Sequence, residues 1–189
     1  MNKESISMAV LTILVSQPVF GIPLSQNRYL VNRVVDGDTL VLENSVGTLQ
    51  KVRLACVDAP EKKQEFGIKS KQFLDQLLSG REVEISASSV PDRYNRLIGI
   101  VYPVGSDGQK DSTSVNEQLL SGGYAWFYAT YAGGCKSDAK IFEQKANTAK
   151  KSKLGLWKNP EAVAPWLWRW ICFATNTSKF QLCIKRLKL

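Results

Sequence analysis

Three short stretches near the start of the chain carry the alternation of apolar and polar positions that a half-buried strand requires: Tyr29 to Val35, Thr39 to Leu42 and Leu49 to Val57. Asp36-Gly37 separates the first two, and a second turn falls near Asn44 to Gly47, so the pattern predicts a three-stranded meander. The period then changes. Phe73, Leu74, Leu77 and Leu78 fall at helical spacing within residues 66–79, and Gly80 follows as a normal C-terminal stop. Alternation returns at Val83, Ile85 and Ala87, interleaved with Glu82, Glu84 and Ser86, and a fifth strand spans Leu97 to Tyr102. Val104 to Asp111 is glycine-rich and polar, as a loop should be. Ser114 to Leu120 predicts a short helix, with Glu117 placed three residues after a capping Ser114. A longer helix over Lys136 to Lys153 has Phe142, Ala146 and Ala149 as its buried stripe. Five short strands interrupted by a helix after the third fit a small closed or partly closed barrel. A five-stranded OB-fold barrel with three helices is the economical reading.

The ends behave differently from this body. Residues 6–15 form an apolar run of about ten residues, shorter than the roughly 20 of a spanning helix. Val19 and Gly21 supply small residues before a cut after Gly21, so residues 1–21 read as a signal peptide and the product as secreted or periplasmic. Residues 22–160 would then be the folded domain. Residues 161–189 form a basic tail with Trp166, Trp168 and Trp170 packed into five positions. Those indoles read either as a cap on the barrel or as a weak contact with a membrane surface. A monomer is the expectation.

Composition sharpens this picture in three ways. The formal net charge of +8 points to a polyanionic partner, yet Arg169, Lys179, Lys185, Arg186 and Lys188 place +5 of it in residues 162–189, which hold no acid. Any phosphate recognition by the body must therefore rest on individually placed arginines. The chain has no histidine, which excludes Ser-His-Asp and Cys-His relays, His-ligated zinc and histidine acid/base pairs. Catalysis would have to run on carboxylates, Arg, Lys, Tyr or a hard metal. The four cysteines, Cys56, Cys135, Cys172 and Cys183, match no zinc spacing and allow three disulfide pairings. Cys172 with Cys183 is the first choice, and Cys56, inside an apolar strand, is expected to be a buried free thiol.

Three clusters hold more charge than a structural reading needs. Asp36-Gly37-Asp38-Thr39 reads as a hairpin turn or as a site, with Asp38 the harder residue to explain as it opens a strand. In Val52 to Glu61, Arg53 interrupts an apolar strand while Asp58 and Glu61 flank Pro60. Pro60 makes Ala59 extended, so the Ala59 carbonyl can stand beside the Asp58 carboxylate, an oxygen set suited to a hard cation. A surface Arg53-Asp58 ion pair is the plainer alternative. The third cluster, Asp92-Arg93-Tyr94-Asn95-Arg96, is either a solvated turn or the carrier of a guanidinium at the barrel edge. Together, two arginines, two aspartates and a glutamate make a poor core and a good phosphate site.

In the same order, the strings DGDT at 36–39, VRLACVDAPE at 52–61, DRYNR at 92–96, VNEQLLSGGYAW at 115–126 and KKSKLGLW at 150–157 resemble the staphylococcal (micrococcal) nuclease, or thermonuclease, family. The resemblance covers roughly residues 28–158. It implies an OB-fold barrel and a Ca²⁺-dependent phosphodiesterase acting on DNA and RNA to leave 3′-phosphates. Asp38 and Asp58 then correspond to calcium carboxylates, the Ala59 carbonyl to the backbone ligand, and Asp36 to an acid behind them. Glu61 corresponds to the general base, Arg53 and Arg96 to the phosphate arginines, and Arg93 and Tyr94 to holders of a terminal phosphate. Tyr131 matches an aromatic flanking the bound base, while a second such tyrosine is replaced by Ala129. The rival reading is a non-catalytic OB-fold that binds nucleic acid.

Overall fold

The computed structural model describes residues 27–88, 90–130 and 135–173. The expected signal segment, Tyr131 and Cys183 lie outside the described residues.

Strands β1 (Arg28–Val34), β2 (Thr39–Glu43) and β3 (Leu49–Leu54) form the expected antiparallel meander. Helix α1 (Gly67–Leu78) follows, then β5 (Glu82–Ala87) and β6 (Leu97–Pro103), after a two-residue β4 (Val57–Asp58). The barrel closes in the order β1-β2-β3-β6-β5, with β3 and β6 parallel and β5 returning to β1. Closure leaves none of the five strands with an unpaired edge and places Leu40, Leu42, Val52, Leu54, Val83 and Val101 inside, all fully buried.

The third strand is shorter than the run of apolar residues implied. It stops at Leu54, and Val57–Asp58 pairs instead with β7 (Trp126–Phe127). The break is at Cys56, a non-glycine residue at φ 59°. Its sulfur is bonded to Cys135, so the free thiol expected there is wrong. An alternation pattern registers apolar positions and is blind to a cysteine 79 residues away. Cys172 is likewise disulfide-bonded, and the expected partner Cys183 lies outside the described residues.

Helix α2 (Val115–Ser121) is capped as its sequence predicted, with Ser114 Oγ accepting the Glu117 N–H at 3.2 Å. Helix α3 (Ala139–Lys151) buries Phe142, Ala146 and Ala149. Asn116 fastens α2 to the barrel: its fully buried carboxamide accepts from Val101 N–H and donates to the Ala55 carbonyl.

A fourth helix, α4 (Pro165–Phe173), was not anticipated as an element. Pro165, Trp168 and Cys172 are buried, with Val163 and Ile171 packed against the latter two. Trp166 stacks on Tyr128 at 4.9 Å, whereas Trp170 is 72% exposed. Among the described residues no helix is long and apolar enough to cross a membrane.

Candidate active site

The strand register assembles the site. Thr39 at the start of β2 pairs with Arg53 near the end of β3, which brings Asp38 beside the Arg53 guanidinium. The turn before β2 is shaped by Asp36, whose carboxylate accepts the Asp38 N–H at 3.1 Å. Gly37 is required there, because a Cβ would lie 2.6 Å from Ala59 Cβ and 2.8 Å from Ser70 Cβ. Asp38 in turn accepts the Ala59 N–H at 2.8 Å, locking the turn to the 58–61 segment.

Arg53 is 4% exposed and lies between two aspartates. It forms ion pairs with Asp38 and, at 2.8 Å, with Asp58, whose side chain is fully buried. The Arg53-Asp58 pair is thus real but internal, not the surface pair of the plainer reading. Burial pulls the Arg53 pKa below its ordinary value, with Asp58 and Asp36 opposing that shift. Burial also raises the Asp36 pKa, against the attraction of Arg53.

Arg96 stands one residue before β6. Asp92 Oδ2 accepts from its Nε at 2.9 Å and its Nη2 at 2.7 Å, which draws the guanidinium back over its own turn. Asn95, at φ 57°, makes the turn tight enough for this. The Tyr94 ring lies under both neighbouring arginines, 4.9 Å from Arg93 and 5.2 Å from Arg96, and is 59% exposed.

A cleft of about 310 Å³ gathers these parts: Asp38, Arg53, Ala59, Glu61, Arg93, Tyr94 and Arg96 all line it. Asp58 reaches it only through Arg53 and a residue the sequence reading missed. Arg169 of α4 donates to Asp58 at 2.7 and 3.1 Å and to Glu61 at 2.8 Å. Burial works against its charge, but the hydrogen bonds it donates to Asp58 and Glu61 outweigh it and hold its pKa above the ordinary arginine value. The only sequence signal was an arginine set in the apolar run Trp166 to Ile171, which the tail reading counted as bulk charge.

Among the described residues no three His, Cys, Asp or Glu side chains form a ready-made metal cluster. The donors nevertheless suit a hard cation. Asp38 and Asp58 touch the same guanidinium, Ala59 is hydrogen-bonded to Asp38, and every candidate ligand is oxygen. Two carboxylates and a carbonyl would leave the remaining positions to water.

The family model described as staphylococcal nuclease homologue matches residues 51–159. The micrococcal nuclease of Shigella flexneri is 37% identical over 163 residues, spanning 85% of this chain and 88% of its own length. An uncharacterized endonuclease of Escherichia coli O157:H7 is 34% identical over 139 residues, 74% of this chain and 82% of that one. One from Haemophilus influenzae is 33% identical over 144 residues, 76% and 74% of the two chains.

Proposed function

Since the chain belongs to the staphylococcal nuclease family and is a hydrolytic nuclease acting on nucleic acid, we propose that it is calcium-dependent, cuts both DNA and RNA, and leaves 3′-phosphate ends. The observation that carries this reading is one cleft in which Asp38, Glu61, Arg53 and Arg96 converge, with Asp58 immediately beneath.

Each side chain has a task there. Asp38, Asp58 and the Ala59 carbonyl would hold Ca²⁺, which when bound neutralises charge on the phosphate. Arg53, fixed at the β2–β3 register, presents a planar fork to the phosphate oxygens and stabilises the charge that grows at phosphorus. Arg96 does the same from the opposite turn, oriented by Asp92. Glu61, about a third exposed on the cleft, is placed to take the proton of an attacking water. Arg93 and the exposed face of Tyr94 fit a terminal phosphate and an adjoining sugar or base. The same residues suit a secreted or periplasmic protein, because a site with two carboxylates binds Ca²⁺ weakly and is useful where Ca²⁺ is abundant.

The test is digestion of single-stranded DNA, duplex DNA and RNA with Ca²⁺, Mg²⁺ or chelator, followed by end analysis. The expected products appear with Ca²⁺ only, and a polynucleotide kinase labels their 5′ ends without prior phosphatase. Cleavage that persists in chelator, or 5′-phosphate products, would overturn the reading.

A further inference from the structure

Asp58, fully buried beneath the cleft, already has three donors. Arg53 Nη2 reaches Oδ1 at 2.8 Å, Arg169 Nη1 reaches the same oxygen at 3.1 Å, and Arg169 Nη2 reaches Oδ2 at 2.7 Å. A carboxylate has about four lone-pair sites, so little acceptor capacity is left for a cation. Arg53 belongs to the barrel and is almost wholly buried; Arg169 is 35% exposed and arrives from α4. The Arg169 Nη1 also bridges to Glu61 at 2.8 Å, so one guanidinium spans the metal-ligand position and the base position.

Arg169 is not a loose tail residue. Trp168 and Cys172 bury the inner face of α4, Trp166 stacks on Tyr128 one turn before Arg169, and Gln64 donates to the Val163 carbonyl just ahead of the helix. Gln64 also accepts from Glu61 N–H at 3.1 Å, which ties the segment carrying the base to the segment preceding α4. With its backbone anchored on both sides, the arginine can change partner by side-chain rotation alone.

We propose that Arg169 is a tethered competitor of the divalent cation. It holds Asp58 and Glu61 until Ca²⁺ takes over Asp58, and the displaced guanidinium, still in the cleft, then faces substrate phosphate. This rests on the calcium-dependent reading above. It makes the segment after residue 160 part of the nuclease site and sets the calcium requirement higher than the oxygen ligands alone would.

Calorimetric titration of Ca²⁺ into the metal-free protein, without nucleic acid, separates the ideas. Arg169→Gln should bind Ca²⁺ roughly fivefold to thirtyfold more tightly than wild type, the usual worth of a charge-assisted hydrogen bond reduced for an exposed side chain. Arg169→Lys, which keeps the charge and loses the fork, should fall between them. Equal or weaker binding by a folded Arg169→Gln sinks the competitor while leaving the calcium site intact. Absence of binding in wild type and variants alike, or unchanged binding in Asp58→Asn, removes the calcium reading and the competitor with it. Should Arg169→Gln fail to fold, the arginine side-chain ¹⁵N spectrum of the wild type carries the same test. One guanidinium with slowed rotation, absent from Arg169→Lys, should be released on Ca²⁺ saturation, and its persistence would overturn the proposal.

Discussion

Cys56 is bonded to Cys135 two residues before Asp58, so the disulfide fixes the backbone between the buried Arg53 and the buried aspartate it pairs with. Cys56 lies in the left-handed region and is fully buried, which makes this bend the point where the chain leaves the barrel for the short β4–β7 pairing. A cross-link over 79 residues removes considerable freedom from the unfolded chain, worth about 2 to 4 kcal/mol. The double variant Cys56→Ala, Cys135→Ala should lower the urea midpoint correspondingly. A midpoint within experimental error of wild type would show that packing alone holds the bend.

In the proposed mechanism Arg53 and Glu61 supply chemistry that charge alone does not. Arg53→Lys keeps a cation between Asp38 and Asp58 but loses the fork, so kcat should fall about 10² to 10³-fold with the melting temperature little changed. Glu61→Gln should reduce kcat by about 10² to 10⁴-fold. Wild-type rates from either folded variant would remove that residue from the mechanism. Parallel loss of kcat and of thermal stability in Arg53→Lys would mean that the residue serves mainly to neutralise its buried partners.

Asn116 links the barrel to α2 with no exposed surface of its own. Asn116→Ala leaves the Val101 N–H and the Ala55 carbonyl short of a partner in a dry setting, and a loss of roughly 2 to 4 kcal/mol follows. Denaturant unfolding measures it. Because Ala55 adjoins Cys56 and lies three residues before Asp58, the rate of DNA cleavage should fall as well, beyond what the unfolded fraction explains.

The barrel was legible in the sequence because alternation reports directly on a closed sheet with one wet face. The capping Ser114 and the stripe Phe142, Ala146 and Ala149 were legible for the same local reason. Grouping of acids and arginines around Asp38, Arg53, Asp58 and Arg96 could be read from their poor fit to strand or core positions. What could not be read depended on partners distant along the chain. Cys56 looks like any buried thiol until Cys135 is brought to it. Arg169 looks like surplus charge until α4 folds over the cleft, 108 residues after Glu61. Asp92 shows the intermediate case: its turn was visible, but its grip on Arg96 was not.

That grip gives a pH dependence with a definite sign. Burial is the largest single influence and works against the charged Asp92 carboxyl, but the Arg96 guanidinium and the backbone N–H groups of Arg96 and Tyr94 together outweigh it and hold the pKa below the ordinary 3.8. The folded state therefore favours the ionised form. The resulting stability is fully present above the unfolded value near 3.8 and is lost as pH falls through the lower folded value. Asp92→Asn cannot offer the carboxylate to Arg96, so it should melt lower than wild type at neutral pH by the equivalent of about 1 kcal/mol. The gap should stay constant from pH 7 to about pH 5 and close only below about pH 4, where the wild type protonates. A released Arg96 should also lower kcat for DNA more than it raises KM, since the guanidinium remains in the cleft but is no longer aimed at the charge that grows at phosphorus. Thermal melts between pH 3 and pH 7, paired with steady-state kinetics at neutral pH, check both parts. A gap that persists unchanged at pH 3 would show that Asn95 and the turn backbone, not the carboxylate, stabilise this corner.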